Sequence, residues 1–194
     1  MRKIIIHEFM TLDGVIQAPG SATEDIDGGF QQGGWVLPYW HDDIGEHFST
    51  LMDRSDTLLL GRKTWQTHGE AFEKMPVGDP FGDAMKKIRK VVVSTTLKSA
   101  DMWRNSTIID SDVVRRVSEL KNMPGLDILI DGSSVLIPTL IENGLVDEFH
   151  LNIYPLIVGK GKRLFSGTTR QNLKLVQSKT LPTGVVFQEY VLDK

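Results

Sequence analysis

The sequence predicts an α/β protein built on a single mixed, mostly parallel sheet of about eight strands, flanked by helices and ending in an antiparallel hairpin. Short apolar runs alternate with amphipathic helical patterns through the middle of the chain, which is typical of parallel strands joined by helical crossovers. Near the C-terminus, two strand-like segments at 173–179 and 185–192 flank a Leu-Pro-Thr-Gly turn. A chain of 194 residues, 40% of them hydrophobic, fits one domain spanning 1–194.

The first half of the chain opens on a buried strand. The run Lys3–Phe9 is apolar and rich in β-branched residues, and an Asp-Gly pair marks the turn after it. Residues 17–34 are rich in Gly, Ser, Asp and Gln and predict a long loop, a kind of segment that is often functional. The elements that follow are a helix from Asp42 or Asp43 to Met52, a strand at 58–60, a helix from Gly61 to Phe72, a short helix at 81–88 and a strand at 91–94.

The second half continues the alternation before the terminal hairpin. Its predicted elements are a strand at 107–110, a helix at 113–121, a strand at 127–131, a helix at 134–143 and a strand at 147–154. Pro138 fits the first turn of its helix, where the missing N–H has no intrahelical acceptor, and Gly144 ends that helix.

Composition excludes several classes of site. The chain has no cysteine, so disulfides, zinc–thiolate sites, iron–sulfur clusters and thiol catalysis are ruled out. The five histidines show no metal-binding spacing, and no metal is expected. A net charge of −3 argues against a nucleic-acid partner. The apolar start is too short for a signal peptide and no stretch approaches a membrane span, which predicts a cytoplasmic protein without a membrane partner.

Two strand-to-helix turns are suited to binding an anion. In LLLGRKTW at 58–65 and DILIDGSSVL at 127–136, an apolar run breaks at a glycine and continues into a helical pattern that starts with Thr or Ser. Free backbone N–H groups and the positive end of the helix dipole favour an anion at such a place. Arg62 and Lys63 add cationic donors to the first turn. Two such turns suggest a ligand with more than one phosphate, such as a dinucleotide.

Each turn alone is also compatible with a plain tight connection, because glycine commonly serves that purpose. Neither standard nucleotide signature is present. The chain contains no G-x-x-x-x-G-K-[ST] motif. Gly159-Lys160-Gly161 is followed by Leu164 where G-x-G-x-x-G requires a glycine, and this basic segment is interpreted as a solvated turn.

At the family level, LGRKTW at 60–65 resembles the G-R-x-T-[WFY] motif of dihydrofolate reductases. The wider pattern resembles the C-terminal reductase domain of the bifunctional riboflavin-biosynthesis deaminase-reductase more closely than it resembles dihydrofolate reductase. Small stand-alone proteins of this type carry the same motifs. The matching segments are TLDGV at 11–15, GGF at 28–30, GGW at 33–35, the second glycine turn, GLVDE at 144–148 and PLIVGKGKRLF at 155–165. The resemblance covers nearly the whole chain and implies the dihydrofolate reductase-like fold.

The resemblance implies NADPH as cofactor and a pterin-like or aminopyrimidine small molecule as substrate. The residues that would contact the cofactor lie in three segments. They are Gly61, Arg62, Lys63 and Thr64; Ser94 and Thr95; and Asp131, Gly132, Ser133, Ser134 and Val135. The family usually has Gly-Gly where this chain has Gly132-Ser133. Dihydrofolate reductases hold that pair in a cis peptide, so its isomer here stays open.

The catalytic candidates are two carboxylates. Dihydrofolate reductases bind the pterin through a carboxylate on the first helix, and Asp43 or Glu46 could occupy that neighbourhood here. Asp43 is the favoured candidate, although it also fits a simple helix cap. Asp13 follows the first strand and either faces the ligands or only closes an Asp-Gly turn. Trp35, Tyr39 and Trp40 are expected to be substrate-binding walls or, equally, core residues.

The expected activity is therefore reduction of a small nitrogen heterocycle by NADPH. A ribosylaminopyrimidine of riboflavin biosynthesis or a related pterin-like molecule is the leading substrate class. The alternatives are dihydrofolate reductase proper and a non-catalytic module that senses NADPH. No zinc-deaminase signature and no cysteine are present, so this chain is not the bifunctional enzyme. The resemblance also implies a homodimer, with the last strands as contact elements.

Overall fold

The computed structural model describes residues 1–193. Eight strands form one sheet. The strands are β1 (Ile4–Thr11), β2 (Ser55–Gly61), β3 (Arg89–Val93), β4 (Ser106–Ile109), β5 (Asp127–Asp131), β6 (Glu148–Tyr154), β7 (Leu173–Thr180) and β8 (Val186–Leu192). The helices are α1 (Asp42–Asp53), α2 (Arg62–Phe72), α3 (Pro80–Lys87), α4 (Val113–Asn122) and α5 (Leu136–Glu142).

The sheet order is β4-β3-β2-β5-β1-β6-β8-β7. The pairs among the first six strands are all parallel, whereas β8 pairs antiparallel with both β6 and β7. The predicted fold class, including the C-terminal hairpin, is confirmed. Because β5 inserts between β2 and β1, the turns that follow β2 and β5 leave the sheet side by side at its carboxyl edge.

Two hydrophobic cores cover the two faces of the sheet. On β1, Ile4 and Ile6 point into a core that includes residues of α4 and α5, whereas Ile5 points into a core with Phe48 of α1 and Trp65 of α2. This alternation follows from the two-residue period of a strand. Both faces are therefore buried, which explains why the middle strands are almost continuously apolar.

A few element boundaries differ from the predicted ones. β2 begins at Ser55, earlier than its apolar run suggests, because it pairs with β5 from its first residue. The last predicted helix begins at Leu136 and not at Ser134, since Ser133 Oγ accepts the Leu136 amide at 3.2 Å. The long loop contains a short 3-10 turn at Asp27–Gly29. Among residues 1–193, none of the helices is both long and apolar enough to cross a membrane.

Candidate active site

A deep cleft of about 1080 Å³ opens at the carboxyl edge of the parallel strands. Its walls come from the segments that follow β2, β3 and β5, from the end of β1, from the 17–34 loop and from α1 to α3. In open α/β sheets this edge is where ligands bind. All eleven residues predicted to contact the cofactor line this one cleft.

One wall of the cleft is aromatic and apolar. It includes Ile44 and Phe48 of α1, Phe72 of α2, and Phe81 and Met85 of α3. The ring of Phe81 lies 5.7 Å from that of Phe48 and 5.4 Å from that of Phe72. Such a surface favours a flat ring over a charged group.

The turn after β2 leaves a helix end free for an anion. Gly61 is extended and precedes α2, and no side chain caps this helix. The first-turn amides of Arg62, Lys63 and Thr64 therefore lack intrahelical acceptors at the cleft wall. The Arg62 guanidinium donates to Gln66 Oε1 at 2.8 Å, which holds it along α2. Such a set of donors is suited to binding an anion.

The turn after β5 packs directly against the first one. Gly132 and Ser133 have φ values of 90° and 150°, a region that favours glycine. A β-carbon on Gly132 would lie 2.8 Å from Thr64 Cγ2, so this position requires glycine for space as well. Residues 1–193 contain no cis peptide bond, and the Gly132–Ser133 peptide is therefore trans.

The segment after β3 supplies hydroxyl groups. Ser94 is buried, and its Oγ accepts the amides of Thr96 at 3.2 Å and Leu97 at 3.0 Å. Thr95 is exposed beside it, and both residues line the cleft. Ser94 thus shapes the turn, while the Thr95 hydroxyl faces solvent at its surface.

Asp131 is the centre of a polar network below the second turn. Its Oδ2 lies 2.8 Å from His68 Nε2, and its Oδ1 lies 3.1 Å from His7 Nδ1. Burial opposes ionisation of this carboxyl, but the hydrogen bonds from His68 and then His7 outweigh it and lower the pKa of Asp131. On its other side, His7 Nε2 is 3.1 Å from Asn152 Nδ2. Asp131 therefore orients the His68 ring, which lines the cleft.

The 17–34 loop is fastened across the cleft by ion pairs. Asp27 pairs with Lys63 and, at 2.9 Å, with Lys162; Asp25 lies 2.5 Å from Lys162 Nζ. The Gln17 amide donates to the backbone oxygens of Asp25 and Asp27. The Gly159–Phe165 segment, predicted to be a solvated turn, thus brings Lys162 to the cleft. Asp25 and Asp27 therefore form ion pairs with the same lysines that a phosphate would use.

Asp13 organises two neighbouring loops outside the cleft lining. Its carboxylate accepts the Val158 amide at 3.2 Å, the Gly159 amide at 2.9 Å and the Thr11 hydroxyl at 2.6 Å. Burial acts to raise its pKa, but these hydrogen bonds, that of Thr11 first, lower it to about 2. Both oxygens are engaged, and Arg163 approaches one of them at 3.4 Å, so Asp13 holds the two loops together, and its catalytic role stays a prediction.

Trp35, Tyr39 and Asp43 also lie outside the lining of the cleft, whereas Trp40 is part of it. Trp35 is buried, donates from Nε1 to Gln17 O at 2.9 Å and packs on Tyr154, as Tyr39 does. Trp35 thereby anchors the start of the long loop. Asp43, on the first turn of α1, forms an ion pair with Lys179 at 2.5 Å. The cleft-facing residues of α1 are instead Ile44, Gly45, Phe48 and Ser49.

Sequence reasoning missed seven titratable cleft residues: His7, Glu8, Glu24, Asp25, Asp27, His68 and Lys162. One signal was available for Glu8, because a charged residue in the apolar run of a buried strand is unusual. His68 carries no such signal, since its position on the cleft side depends on which face α2 turns to the sheet.

A cluster of possible metal ligands lies away from the cleft, at β6 and β8. Side-chain atoms of Glu148, His150 and Glu189 all lie within 4.8 Å of one another. Glu148 is already paired with Lys3 at 2.6 Å and with Arg54 at 3.2 Å. These cations compensate its charge, so the cluster carries no metal assignment.

Comparison with known proteins places this geometry in a family. The uncharacterized protein YyaP of Bacillus subtilis is 33% identical over 189 residues, which cover 95% of this chain and 92% of that protein. The crystal structure of a candidate riboflavin biosynthesis protein from Shewanella sp. PV-4 superimposes with a TM-score of 0.77 at 18% identity, covering 99% of both chains.

Dihydrofolate reductase from Enterococcus faecalis, solved in complex with NADP(H) and RAB-propyl, has the same fold. Its TM-score is 0.64 at 14% identity, with 99% of this chain and 97% of that chain covered. Residues 2–187 match the family described as the RibD C-terminal domain. The resemblance predicted from the sequence motifs is confirmed: the chain belongs to the RibD C-terminal domain family, a family of reductases with the dihydrofolate reductase-like fold.

Proposed function

We propose that this protein is an NADPH-dependent reductase that acts on a small nitrogen heterocycle, with a ribosylaminopyrimidine or a related pterin-like molecule as the leading substrate class. The observation that carries the proposal is the meeting of two glycine turns and an aromatic wall in one cleft. When bound, NADPH would supply the two electrons and one hydrogen that reduce the substrate. The residues of the chain would bind and orient the cofactor and the substrate and would exclude water from the cleft.

The donor set fits a phosphorylated dinucleotide. The uncapped amides at Arg62–Thr64 and the Lys63 ammonium are suited to phosphate oxygens. Ser133, Ser134 and Val135 would approach the same group from the other turn. On the basis of the resemblance, the Thr95 hydroxyl would lie near the adenosine ribose. This assignment also draws on the Enterococcus faecalis neighbour, which was solved with NADP(H).

The substrate would occupy the aromatic side of the cleft. The name of the Shewanella neighbour points to riboflavin biosynthesis, which supports an aminopyrimidine. Dihydrofolate reductases use a carboxylate of the first helix for the pterin, whereas α1 presents Gly45 and Ser49 to the cleft and turns Asp43 towards Lys179. This difference favours a substrate other than dihydrofolate.

The decisive experiment is a titration of NADPH against NADH that follows tryptophan emission. Trp40 lines the cleft and is about half exposed, whereas Trp65 and Trp103 are buried in the core. We expect NADPH to quench strongly, NADH weakly, and Trp40→Phe to lose most of the quenching while binding persists by calorimetry. Absence of NADPH binding by both methods would overturn the proposal.

A turnover assay separates the reductase from the non-catalytic alternative. Aminopyrimidine phosphoribosides, pterins and dihydrofolate are screened for NADPH oxidation by absorbance. A reductase oxidises NADPH with at least one of them, whereas a sensor binds NADPH and leaves it reduced with all. Oxidation with dihydrofolate alone would instead favour dihydrofolate reductase proper.

We also propose that the protein is a homodimer that uses β7. This strand lies at the edge of the sheet, and Leu175 and Val176 on it are about half exposed. An exposed edge strand is a ready site for pairing with a second copy. Light scattering after size-exclusion chromatography should give twice the chain mass, and Val176→Lys should give the monomer.

A further inference from the structure

Glu8 is a buried carboxyl in the floor of the cleft. It lies on β1, near the middle of the sheet, and is 5% exposed. By the alternation of a strand it faces the same side as Ile4, Ile6 and Met10, which are core residues. The chain thus places a carboxyl where packing alone would favour an apolar side chain.

The sheet register puts Glu8 beside the second glycine turn. β5 ends at Asp131, which is paired with His7, so the next residue of β1 lies level with Gly132. The backbone amide of Gly132 favours the charged form of the Glu8 carboxyl and so acts to lower its pKa. Glu8 Oε1 has no hydrogen-bond partner among residues 1–193, and no cation of those residues forms an ion pair with it.

The charged groups around Glu8 are acidic. Burial first, and then the negative charges of Asp131 and Glu24, raise the pKa of Glu8 well above its usual value, and the Gly132 amide offsets this only in part. Asp131 is held ionised by His68 and His7. The pKa values of two carboxyls at the same turn are therefore shifted in opposite directions, which is the arrangement that separates an acid from a charge-stabilising base in many active sites.

We propose that Glu8 is the general acid of this cleft and donates its carboxyl proton to the substrate nitrogen during reduction. The inference rests on the proposed function. The carbon of a C=N bond would receive a hydride, one proton with two electrons, from the reduced nicotinamide, while the nitrogen would take the Glu8 proton. The C=N bond would become CH–NH, and the Glu8 carboxylate would regain a proton from water.

The protonation state of Glu8 can be measured without substrate or cofactor. Infrared spectroscopy at neutral pH is expected to show a carboxylic-acid C=O band in the wild-type protein that is missing in Glu8→Gln. If the two spectra do not differ in this band, Glu8 is ionised and the proposal is overturned. Glu24 also has a raised pKa, and the difference between the two proteins removes its contribution.

The role of that proton is tested with the substrate found in the turnover screen. Glu8→Gln should bind NADPH as the wild type does and reduce the substrate about 10²–10⁴-fold more slowly, the usual contribution of a general acid. In the wild type, kcat/KM should fall as pH rises through the raised pKa of Glu8, and this fall should be absent in Glu8→Gln. Glu8→Asp keeps an acid at a shorter reach and should restore part of the rate together with the pH dependence.

The outcomes distinguish this proposal from the proposed function. A wild-type protein that neither binds nor oxidises NADPH contradicts the reductase itself and the Glu8 role with it. A wild type that turns over, with a Glu8→Gln variant of equal rate and pH profile, overturns the role of Glu8 alone. If Glu8→Gln does not fold, Glu8→Asp carries the test, and loss of rate without a shift in its pH profile contradicts the proposal.

Discussion

The α-carbon of Gly61 packs against the side chain of Ser133, and a β-carbon on Gly61 would lie 2.8 Å from Ser133 Cβ and closer still to Ser133 Oγ. The reciprocal contact joins Gly132 to Thr64. The two turns that surround the proposed phosphate site therefore pack tightly against each other, and a displacement of one is expected to displace the other.

Gly61→Ala should damage the cleft through space alone. The backbone of Gly61 is extended, with φ of −74°, so alanine is conformationally allowed there and the only conflict is with Ser133. Overpacking of this kind costs about 1–3 kcal/mol of unfolding free energy. We expect that loss in urea denaturation, together with weaker NADPH binding, because the displaced second turn also lines the site.

The matched control is Gly61→Ala combined with Ser133→Gly. Glycine at 133 removes both clashing atoms and suits a φ of 150°, although it also removes the cap on Leu136, which costs a few tenths of a kcal/mol. NADPH binding should return in the double variant. If it does not, the contact between the turns is not the reason that position 61 is glycine.

The fold, and the side of the cleft proposed to hold the cofactor, follow from local sequence patterns. The apolar runs of β2 and β5 and the glycines that end them are visible in the printed chain, and in an alternating α/β protein such turns gather at one sheet edge. The position of these turns can be predicted without knowing the order of the strands in the sheet. The close packing of Gly61 on Ser133 cannot be predicted without that order, because it depends on β5 lying beside β2.

The side of the cleft proposed to hold the substrate could not be predicted in the same way. Asp43 and Tyr39 are close in sequence to cleft residues, but one residue of helix rotation, about 100°, decides which side chains of α1 face the cleft. The structure turns Ile44 and Phe48 inwards and leaves Asp43 with Lys179. Likewise the contact of Asp27 with Lys162 joins segments 135 residues apart, which no local pattern reveals.

Asp27→Asn should tighten NADPH binding a few-fold. Asp27 hydrogen-bonds Lys63 and Lys162, and these contacts lower its pKa to about 2, so it stays ionised and competes with phosphate at ordinary pH. Removing the charge of Asp27 frees Lys63 to bind phosphate, and calorimetry measures the increase in NADPH affinity. Asp53→Asn, an exposed change of equal net charge far from Lys63, is the control. Equal affinities in the two variants would refute the competition.

Asp43→Asn tests the catalytic role predicted from the sequence. Since Asp43 is engaged with Lys179 and lies outside the lining of the cleft, we expect kcat/KM and NADPH affinity to remain close to those of the wild type. Steady-state assays with the substrate from the turnover screen provide the measurement. A large fall in kcat at unchanged stability would restore Asp43 as a catalytic residue.

Glu148 should make the stability of the fold depend on pH in the acid range. The His150 hydrogen bond first, and then those of Lys3 and the charge of Arg54, lower the pKa of Glu148 to about 2 from 4.5. A carboxyl with a lowered folded-state pKa contributes stability that is fully present above its unfolded value and is lost as pH falls towards the folded one. With solvent screening, the contribution is of the order of 1–3 kcal/mol.

Urea unfolding of Glu148→Gln between pH 7 and pH 2 tests this dependence. The variant should be less stable than the wild type at pH 6–7, and the difference should shrink as pH falls below 4.5, because protonated Glu148 loses the same ion pairs as glutamine does. Glu119→Gln breaks only an exposed pair with Arg115 and should follow the wild-type curve. A Glu148→Gln deficit that stays constant over the whole pH range would show that packing, and not charge, is what position 148 contributes.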